Sequence, residues 1–220
     1  MTAWLGLLPL RAGSKSIPGK NLKPLAGRPL YAWCLQAALA SAVFDRVYVA
    51  TDGADIRADV AARFGDSVEV IGRASANATD TAGSESVMLE FLAAHPCAVL
   101  GLIQATSPLT RAEDFVAARQ RFENEGLDSL LTAVRTRRFF WSDDARPLNY
   151  DPRARPRRQD FAGLLMENGA FYLSATSLLA ASGCRLGGRI GIHVMHEDSA
   201  VELDEPADWD WVERQLERRR

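Results

Sequence analysis

The segment between residues 11 and 21 carries the side chains best suited to chemistry, because it combines fixed positive charge with glycine. Arg11 can form a bidentate pair with phosphate oxygens, and Lys20 supplies a compact point charge. Gly13 and Gly19 allow the backbone to approach a ligand closely. The segment reads Arg-Ala-Gly-Ser-Lys-Ser-Ile-Pro-Gly-Lys-Asn, which is neither a Walker loop nor G-x-G-x-x-G. It predicts a triphosphate site, and a solvated surface loop is the alternative.

Two carboxylates near the end of the sequence have a spacing that suits metal binding. In the stretch Val201–Asp204, Glu202 and Asp204 alternate with hydrophobic residues. The period of two predicts a strand with both carboxylates on one face. Paired carboxylates at a strand end can hold a hard cation against phosphate oxygens. The alternative is a solvated strand edge that precedes a helix.

A basic cluster runs from Arg153 to Arg158 and allows three interpretations. It is a solvated charge run, a nuclear localisation signal, or a clamp that binds the carboxylate of an acidic sugar bidentately. Phe139, Phe140 and Trp141 precede the cluster. They favour an interface, because aromatic side chains are enriched at interfaces. Packing of these rings within their own segment is the alternative.

The elements that would position these residues alternate between strands and helices. Strands are predicted at Ala3–Leu10, Arg46–Thr51, Val68–Ile71, Ala98–Gln104 and Ser129–Val134, and helices at Pro29–Ala42, Ala54–Phe64, Ser84–Ala94 and Arg111–Glu125. This alternation predicts an α/β, Rossmann-like fold with a mostly parallel sheet and helices on both faces. Ligands of such sheets bind outside the carboxyl ends of the strands. The polar segments after the strands should therefore share one edge, and they are Arg11–Asn21, Thr51–Asp52, Arg73–Ser84 and Gln104–Pro108.

The alternation breaks after Val134, where Arg, Pro and aromatic residues follow no helical period. We interpret residues at about 136–165 as an arm inserted into a single domain that spans residues 1–220. A hairpin and a loop are expected between Phe139 and Gly163. Late strands at Gly169–Ser174 and Ile190–Met195 and a final helix at Pro206–Arg218 complete the prediction.

Composition argues against several classes of protein. Hydrophobic residues make up 47% of the 220 residues and charged residues 25%, which is the balance of an ordinary globular protein. The net charge of −2 argues against a general nucleic-acid surface. The apolar stretch Met1–Leu10 is too short for a signal peptide or a membrane span. The sparse cysteines form no metal or redox motif, and they favour a reducing cytoplasm.

The first loop and the segments after it resemble those of the acylneuraminate cytidylyltransferases, the CMP-sialic acid synthetases. The opening pattern of that family, R-x-G-S-K-x-[IL]-P-x-K-N, matches Arg11–Asn21 position for position. The resemblance continues through Leu25–Leu30, Ala50–Asp52, Gln104–Leu109, Pro156–Phe161, Glu167–Tyr172, Leu203–Asp204 and Asp208–Trp209. Each motif is weak alone, but their order and spacing together are highly specific and cover nearly the whole chain.

The resemblance implies roles for individual residues. Those that would hold the CTP phosphates are Arg11, Ser14, Lys20 and Asn21; those on the cytidine side are Arg73, Asp80 and Ser84; and those that would contact the sugar are Gln104, Asn168 and Tyr172. Arg157 or Arg158 matches a functionally important arginine of the arm. Glu202 and Asp204 stand at the paired metal positions, where the usual pattern is Asp-x-Asp. Glu202 is therefore a departure, and Asp204 is the safer ligand for magnesium.

The reaction that the resemblance implies is nucleotidyl transfer with Mg²⁺, for which Mn²⁺ can substitute. The anomeric C2 hydroxyl of a nine-carbon 2-keto sugar acid, in the first place N-acetylneuraminic acid, attacks the α-phosphate of CTP, and pyrophosphate leaves. The candidate catalytic residues are Arg11, Lys20, Arg157, Arg158 and Asp204. One alternative is another ulosonic acid, namely deaminated sialic, legionaminic or pseudaminic acid or Kdo, although the loop of the Kdo enzymes is closer to S-T-R-x-P-G-K-P. The other is a CTP-binding homologue without activity.

The same resemblance predicts the assembly and the compartment. We expect a homodimer, or a dimer of dimers, that forms through the arm. We expect it to act in the cytoplasm, without nucleic-acid or membrane partners, and a nuclear address stays open for an animal source.

Overall fold

The computed structural model describes residues 2–14, 16–74, 77 and 83–219. Within them the strands are β1 (Trp4–Leu10), β2 (Pro24–Leu25), β3 (Arg28–Pro29), β4 (Arg46–Thr51), β5 (Glu69–Ile71), β6 (Val99–Ile103), β7 (Ser129–Thr136), β8 (Leu164–Ala175) and β9 (Ile190–Met195). The helices are α1 (Leu30–Ser41), α2 (Ala54–Phe64), α3 (Ser84–Ala94), α4 (Ala112–Asn124), α5 (Thr176–Ser182) and α6 (Pro206–Arg218). None of these helices is long and apolar enough to cross a lipid bilayer.

The main sheet has the strand order β5-β4-β1-β6-β8-β7-β9. Strands β4, β5 and β6 run parallel to β1 or to its neighbours, whereas β8 is antiparallel to both β6 and β7. Strand β9 is again parallel to β7. The prediction of a mostly parallel α/β sheet is therefore confirmed.

Helices cover both faces of this sheet. Successive side chains of a strand point to opposite faces, so the contacts of β1 show what covers each face. Along β1, Trp4 and Leu8 pack in one hydrophobic cluster with residues of α1, α2 and α4. Leu5 and Leu7 pack in a second cluster with residues of α3 and α5. The prediction of helices on both faces is confirmed.

A third hydrophobic cluster holds the first loop against the end of the chain. Ile17 and Leu25 are buried there with Leu203, Trp209 and Leu216. Helix α6 begins at Pro206 and has a capping box formed by Glu205 and Asp208. This packing brings residues near the two ends of the sequence to the same edge of the sheet.

Two local predictions were wrong. Val201–Asp204 forms no strand with the residues that the structure describes. Its one backbone bond to a distant described segment is that of the Leu203 N–H, which donates to the carbonyl of Thr106 at 2.7 Å. Strand β8 begins at Leu164 rather than at Gly169. Its first residues pair with the end of β7 as an exposed ribbon, so they carry no burial pattern that sequence could reveal.

The arm connects β7 to β8 and contains an antiparallel bridge between Trp141 and Pro147. The centroid of the Phe139 ring lies 4.3 Å from that of the Tyr150 ring and 4.8 Å from that of the Phe161 ring. Phe140 and Trp141 are 38% and 49% exposed. One ring therefore packs within the arm, and two remain accessible at its surface.

Candidate active site

A pocket of about 320 Å³ opens beyond the carboxyl ends of β1 and β6. These neighbouring strands mark the point where the strand order reverses, which is where open α/β sheets bind ligands. The predicted residues that line it are Arg11, Ser14, Lys20, Asn21, Arg73, Ser84, Gln104 and Asp204. Three of the four polar segments expected at this edge thus contribute to the pocket, and the fourth supports it from behind.

The first loop is held in shape by short-range hydrogen bonds. The Asn21 side chain donates to the carbonyl of Arg11 at 2.9 Å, and the Lys20 N–H donates to the carbonyl of Ile17 at 3.1 Å. Gly19 has a φ of 64°, which a residue without a side chain adopts at little cost. Asp52, which directly follows β4, accepts a bond from the Ala12 N–H at 2.8 Å. The sequence did not single out Asp52 as more than part of a polar segment.

Lys20 is a buried cation whose partner comes from the far end of the chain. Its Nζ atom donates to Oδ1 of Asp204 at 2.7 Å. The Lys20 side chain is 10% exposed and that of Asp204 is 63% exposed. The contact places a predicted phosphate ligand beside a predicted metal ligand, in a single pocket.

Glu202, the other predicted metal ligand, is half-buried and does not line the pocket. Burial raises the pKa of its carboxyl, and the negative charges of Asp204 and Glu167 raise it further, against the charge of Lys20. The carboxylate packs over Gly169, where an added Cβ atom would lie 2.7 Å from Oε2. Gly169 also has a φ of 59°. Because Gly169 has no side chain, it leaves room for Glu202. The two residues are distant in the chain, so no sequence pattern indicates this contact.

Arg73 and Ser84, which were predicted to lie on the cytidine side, line the pocket, and Ser84 begins α3. Burial lowers the pKa of Arg73, and the nearby Asp52 charge partly offsets this. Among the described residues, no group accepts a hydrogen bond from its buried Nε atom. Glu90 holds Ala74 and Asn77, because its carboxylate accepts bonds from the Ala74 N–H at 2.9 Å and from the Asn77 side chain. Asp80 lies outside the described residues.

Two of the three predicted sugar contacts lie outside the lining of this pocket. Asn168 is 1% exposed, and its side chain donates to the carbonyl of Ser199 at 2.9 Å. Tyr172 is also buried, and its hydroxyl donates to Glu167. Burial, and after it the bond to Glu167, raise the pKa of Tyr172 to about 12. Gln104 lines the pocket itself.

Arg157 and Arg158 line a different cavity, of about 580 Å³, within the arm. Its other cations are Arg137, Arg138 and Arg155. Arg157 pairs with Asp160 at 2.6 Å. Within one chain, the arm arginines and the first pocket are therefore separate features.

Comparison with known proteins decides the family. A family model described as Cytidylyltransferase matches residues 5–210. The chain belongs to the cytidylyltransferase family. Relatives within this family include N-acylneuraminate cytidylyltransferase A of Danio rerio, which is 36% identical over 96% of this chain and 50% of its own length. The N-acylneuraminate cytidylyltransferase of Oncorhynchus mykiss is also 36% identical over the same shares.

These comparisons confirm the resemblance predicted from the motifs. The chain spans about half the length of the curated cytidylyltransferases that it matches first. A shorter segment, 40% of the chain, is 43% identical to the CMP-N,N'-diacetyllegionaminic acid synthase of Legionella pneumophila.

Solved structures share the cytidylyltransferase fold. A CMP:2-keto-3-deoxy-manno-octonic acid synthetase complexed with CTP superposes with a TM-score of 0.74 over 100% of both chains, at 17% identity. The 4-diphosphocytidyl-2C-methyl-D-erythritol synthase of Anaerococcus prevotii gives a TM-score of 0.69 over 98% of this chain and 96% of its own, at 12% identity. At these identities the likeness concerns the fold alone.

Proposed function

We propose that the protein transfers CMP from CTP to the anomeric hydroxyl of a nine-carbon 2-keto sugar acid, in the first place N-acetylneuraminic acid, and releases pyrophosphate. The observation that carries the proposal is the convergence of Arg11, Lys20, Arg73, Gln104 and Asp204 on one pocket at the switch point of the sheet. Cations there suit a triphosphate, and the amide suits a polyhydroxylated substrate.

The names of the relatives support the choice of sugar. The proteins that match nearly the whole chain at 36% identity are N-acylneuraminate cytidylyltransferases. The legionaminic acid enzyme matches 40% of the chain, so that sugar is the first alternative. Deaminated sialic acid, pseudaminic acid and Kdo follow as further members of a substrate panel.

The residues of the chain would act mainly through charge and position, which is how proteins promote phosphoryl and nucleotidyl transfer. Arg11 and Lys20 would bind the β- and γ-phosphates and stabilise the charge that develops on the leaving pyrophosphate. Ser14 and Asn21 would add hydrogen bonds to the same oxygens. Arg73 and Ser84 would orient the nucleoside, and Gln104 would orient the sugar so that its C2 hydroxyl faces the α-phosphate.

The acidic end of the pocket fits a hard divalent cation. Asp204 lines the pocket, whereas Glu202 stands two positions before it and does not. Both would offer carboxylate oxygens, and the charge of Asp204, which adds to burial in raising the pKa of Glu202, is a repulsion that a cation relieves. Among the residues described, no three His, Cys, Asp or Glu side chains form a group that could hold a metal. Phosphate oxygens of the substrate would therefore have to complete the ligand shell, as is common for magnesium. When bound, Mg²⁺ or Mn²⁺ would polarise the α-phosphate.

We propose further that the arm serves a homodimer, or a dimer of dimers. Residues 136–165 contain seven arginines and four aspartates, so the arm has a net charge of +3 although the whole chain has −2. A basic arm is complementary to the acidic remainder of a second copy, and exposed Phe140 and Trp141 would be covered there. In such a dimer Arg157 or Arg158 would reach the partner's pocket. We place the reaction in the cytoplasm, or in the nucleus of an animal cell.

The test is pyrophosphate release by the purified protein with CTP, Mg²⁺ and each sugar acid of the panel. Release with N-acetylneuraminic acid at a kcat/KM above that for every other acid would support the proposal. A preference for legionaminic acid or Kdo would keep the reaction and replace the substrate. Calorimetric binding of CTP without turnover of any acid would favour a homologue without activity.

A further inference from the structure

Two walls of the pocket come from different elements, one from a helix and one from the segment after a strand. One wall is the first turn of α3, which contributes Ser84 and Val87. A second wall is formed by Gln104, Ala105 and Thr106, which directly follow β6. This wall is held to β8, because the Gln104 N–H donates to the carbonyl of Ala170 at 3.0 Å and Leu102 of β6 pairs with Tyr172 of β8. A ligand that touches both walls requires a fixed distance between them.

Arg185, in the connection from α5 to β9, contacts both α3 and β8. Its Nη1 atom donates to Oε1 of Glu85 at 2.7 Å, and Glu85 directly follows Ser84 in α3. The Cζ atom of the same guanidinium lies 4.3 Å from the centroid of the Tyr172 ring. A planar guanidinium can make a directed bond and an aromatic stack at once, which a lysine cannot.

Hydrogen bonds fix both the backbone of Arg185 and the ring on which its guanidinium stacks. The Ser174 hydroxyl donates to the carbonyl of Arg185 at 2.7 Å, which fixes its backbone to β8. The Tyr172 ring is fixed in turn, because its hydroxyl donates to Glu167 on the same strand. The Arg185 and Glu85 side chains are 24% and 28% exposed. Arg185 is therefore anchored to β8 and reaches across to α3, rather than lying on the surface.

We infer that Arg185 is a positioning residue that sets the distance between the start of α3 and strand β8, and so holds Ser84 where the nucleoside binds. The inference rests on the proposed function, because it assigns α3 to the CTP side of the pocket. Arg185 lies outside every motif that carried the family resemblance. It would act through Glu85 and Tyr172, without touching a substrate.

The test compares Arg185→Gln, Glu85→Gln, the double variant and Arg185→Lys. CTP affinity is measured by calorimetry without sugar, and Tm is measured for each protein. We expect Arg185→Gln to raise the Kd for CTP about tenfold, which is a loss of about 1.4 kcal/mol in binding free energy. This is within the range of coupling energies between contacting groups. Glu85→Gln should have a similar effect, and the double variant should be no worse than either. Arg185→Lys keeps the charge but loses the planar stack, so it should recover part of the affinity.

Arg121→Gln is the matched control, since Arg121 forms an ion pair with Glu125 at 2.8 Å on α4, away from the pocket. It should leave CTP affinity unchanged. If Arg185→Gln lowers Tm but leaves the Kd for CTP within about twofold of the wild-type value, Arg185 is a structural residue and the inference fails. Strict additivity of the two Gln substitutions would also overturn it, because it would show that the pair does not act as a unit.

The two proposals fail in different ways. If wild-type protein binds CTP but turns over no sugar acid, the proposed function fails, and the affinities of the variants still decide the role of Arg185. If wild-type protein turns over N-acetylneuraminic acid and the Arg185 variants match its Kd for CTP, only the inference about Arg185 fails. If the wild-type protein binds no CTP, both fail.

Discussion

The ammonium group of Lys20 lies 2.7 Å from Oδ1 of Asp204, although 184 positions separate the two residues in the chain. The pair joins a predicted phosphate ligand to a predicted metal ligand. In the free protein, Lys20 therefore forms an ion pair with a carboxylate, and a bound triphosphate would have to replace that carboxylate. The lysine is held by a buried stem, whereas the aspartate is 63% exposed, so the aspartate is the partner that can turn away.

This pair predicts that Asp204→Asn separates nucleotide binding from turnover. Without metal, the variant should bind CTP about two- to fivefold more tightly, because an ion pair whose carboxylate is exposed to water, worth at most about 1 kcal/mol, no longer competes for Lys20. Turnover should fall by about 10²- to 10³-fold, because the variant loses a carboxylate proposed to hold the cation that neutralises transition-state charge. Calorimetry in the presence of a chelator measures the first effect, and pyrophosphate release measures the second.

Lys20→Met is the companion variant. It should weaken metal-free CTP binding, in the opposite direction to Asp204→Asn. Weaker CTP binding by both variants would contradict the view that Asp204 competes with phosphate for the ammonium group.

Gly169 predicts a second separable effect. Ala at this position would have a φ of 59° and a Cβ atom 2.7 Å from Oε2 of Glu202. We expect Gly169→Ala to cost about 1–2 kcal/mol of stability from backbone strain and to reduce turnover at least about tenfold, because the displaced carboxylate no longer faces Asp204.

Gly183→Ala provides the matched control. Gly183 has a φ of 68°, but an added Cβ atom there meets nothing within 4 Å. This variant should lose a similar amount of stability in thermal unfolding and keep the kcat of the wild-type protein. Equal turnover by the two variants would mean that the position of Glu202 does not affect the reaction.

Sequence could predict the elements whose ends carry local signals. Helices α2 and α3 begin directly after Gly53 and Gly83, and α6 begins at Pro206, and all three were predicted with the bounds that the structure shows. The first loop could be identified as a candidate binding segment for a similar reason, since its residues are neighbours in the chain.

Features that depend on distant contacts could not be predicted. Val201–Asp204 has the period of a strand, yet it pairs with no strand among residues 2–14, 16–74, 77 and 83–219, and pairing is not visible in a single sequence. The bond between Lys20 and Asp204, the space that Gly169 leaves for Glu202, and the bridge through Arg185 all require the folded chain. Patterns identified which residues could do chemistry, and packing determined which of them meet.

Asp198 predicts how stability depends on pH. Its burial acts to raise the pKa, but Arg219 and His196 outweigh burial and hold the pKa below the ordinary value of 3.8. Arg111 also contacts the carboxylate, at 3.1 Å. A carboxyl whose pKa is lowered on folding stabilises the protein above its ordinary pKa, and this contribution is lost as pH falls through the folded value.

Asp198→Asn should therefore lower stability at pH 7 by about 2 kcal/mol, or Tm by roughly 4–8 °C. Thermal unfolding of both proteins from pH 7 down to below the ordinary pKa should show the difference in Tm shrinking. A difference that stays constant over this range would mean that lost packing, rather than lost charge, causes the effect. Turnover at pH 7 and 25 °C should not change, since Asp198 does not line the pocket.

The arm predicts complementation between two inactive chains. Within one chain, Arg157 and Arg158 line a cavity other than the one that contains Asp204. If the arm acts in a second copy, a mixture of the Asp204→Asn chain and the Arg157→Ala/Arg158→Ala chain should recover activity. In a mixed dimer one pocket then combines an intact body with an intact arm, so random exchange of equal amounts should restore roughly a quarter of wild-type turnover. Light scattering establishes the dimer first. Exchanged dimers that regain no activity would place the action of these arginines within their own chain, or outside the reaction altogether.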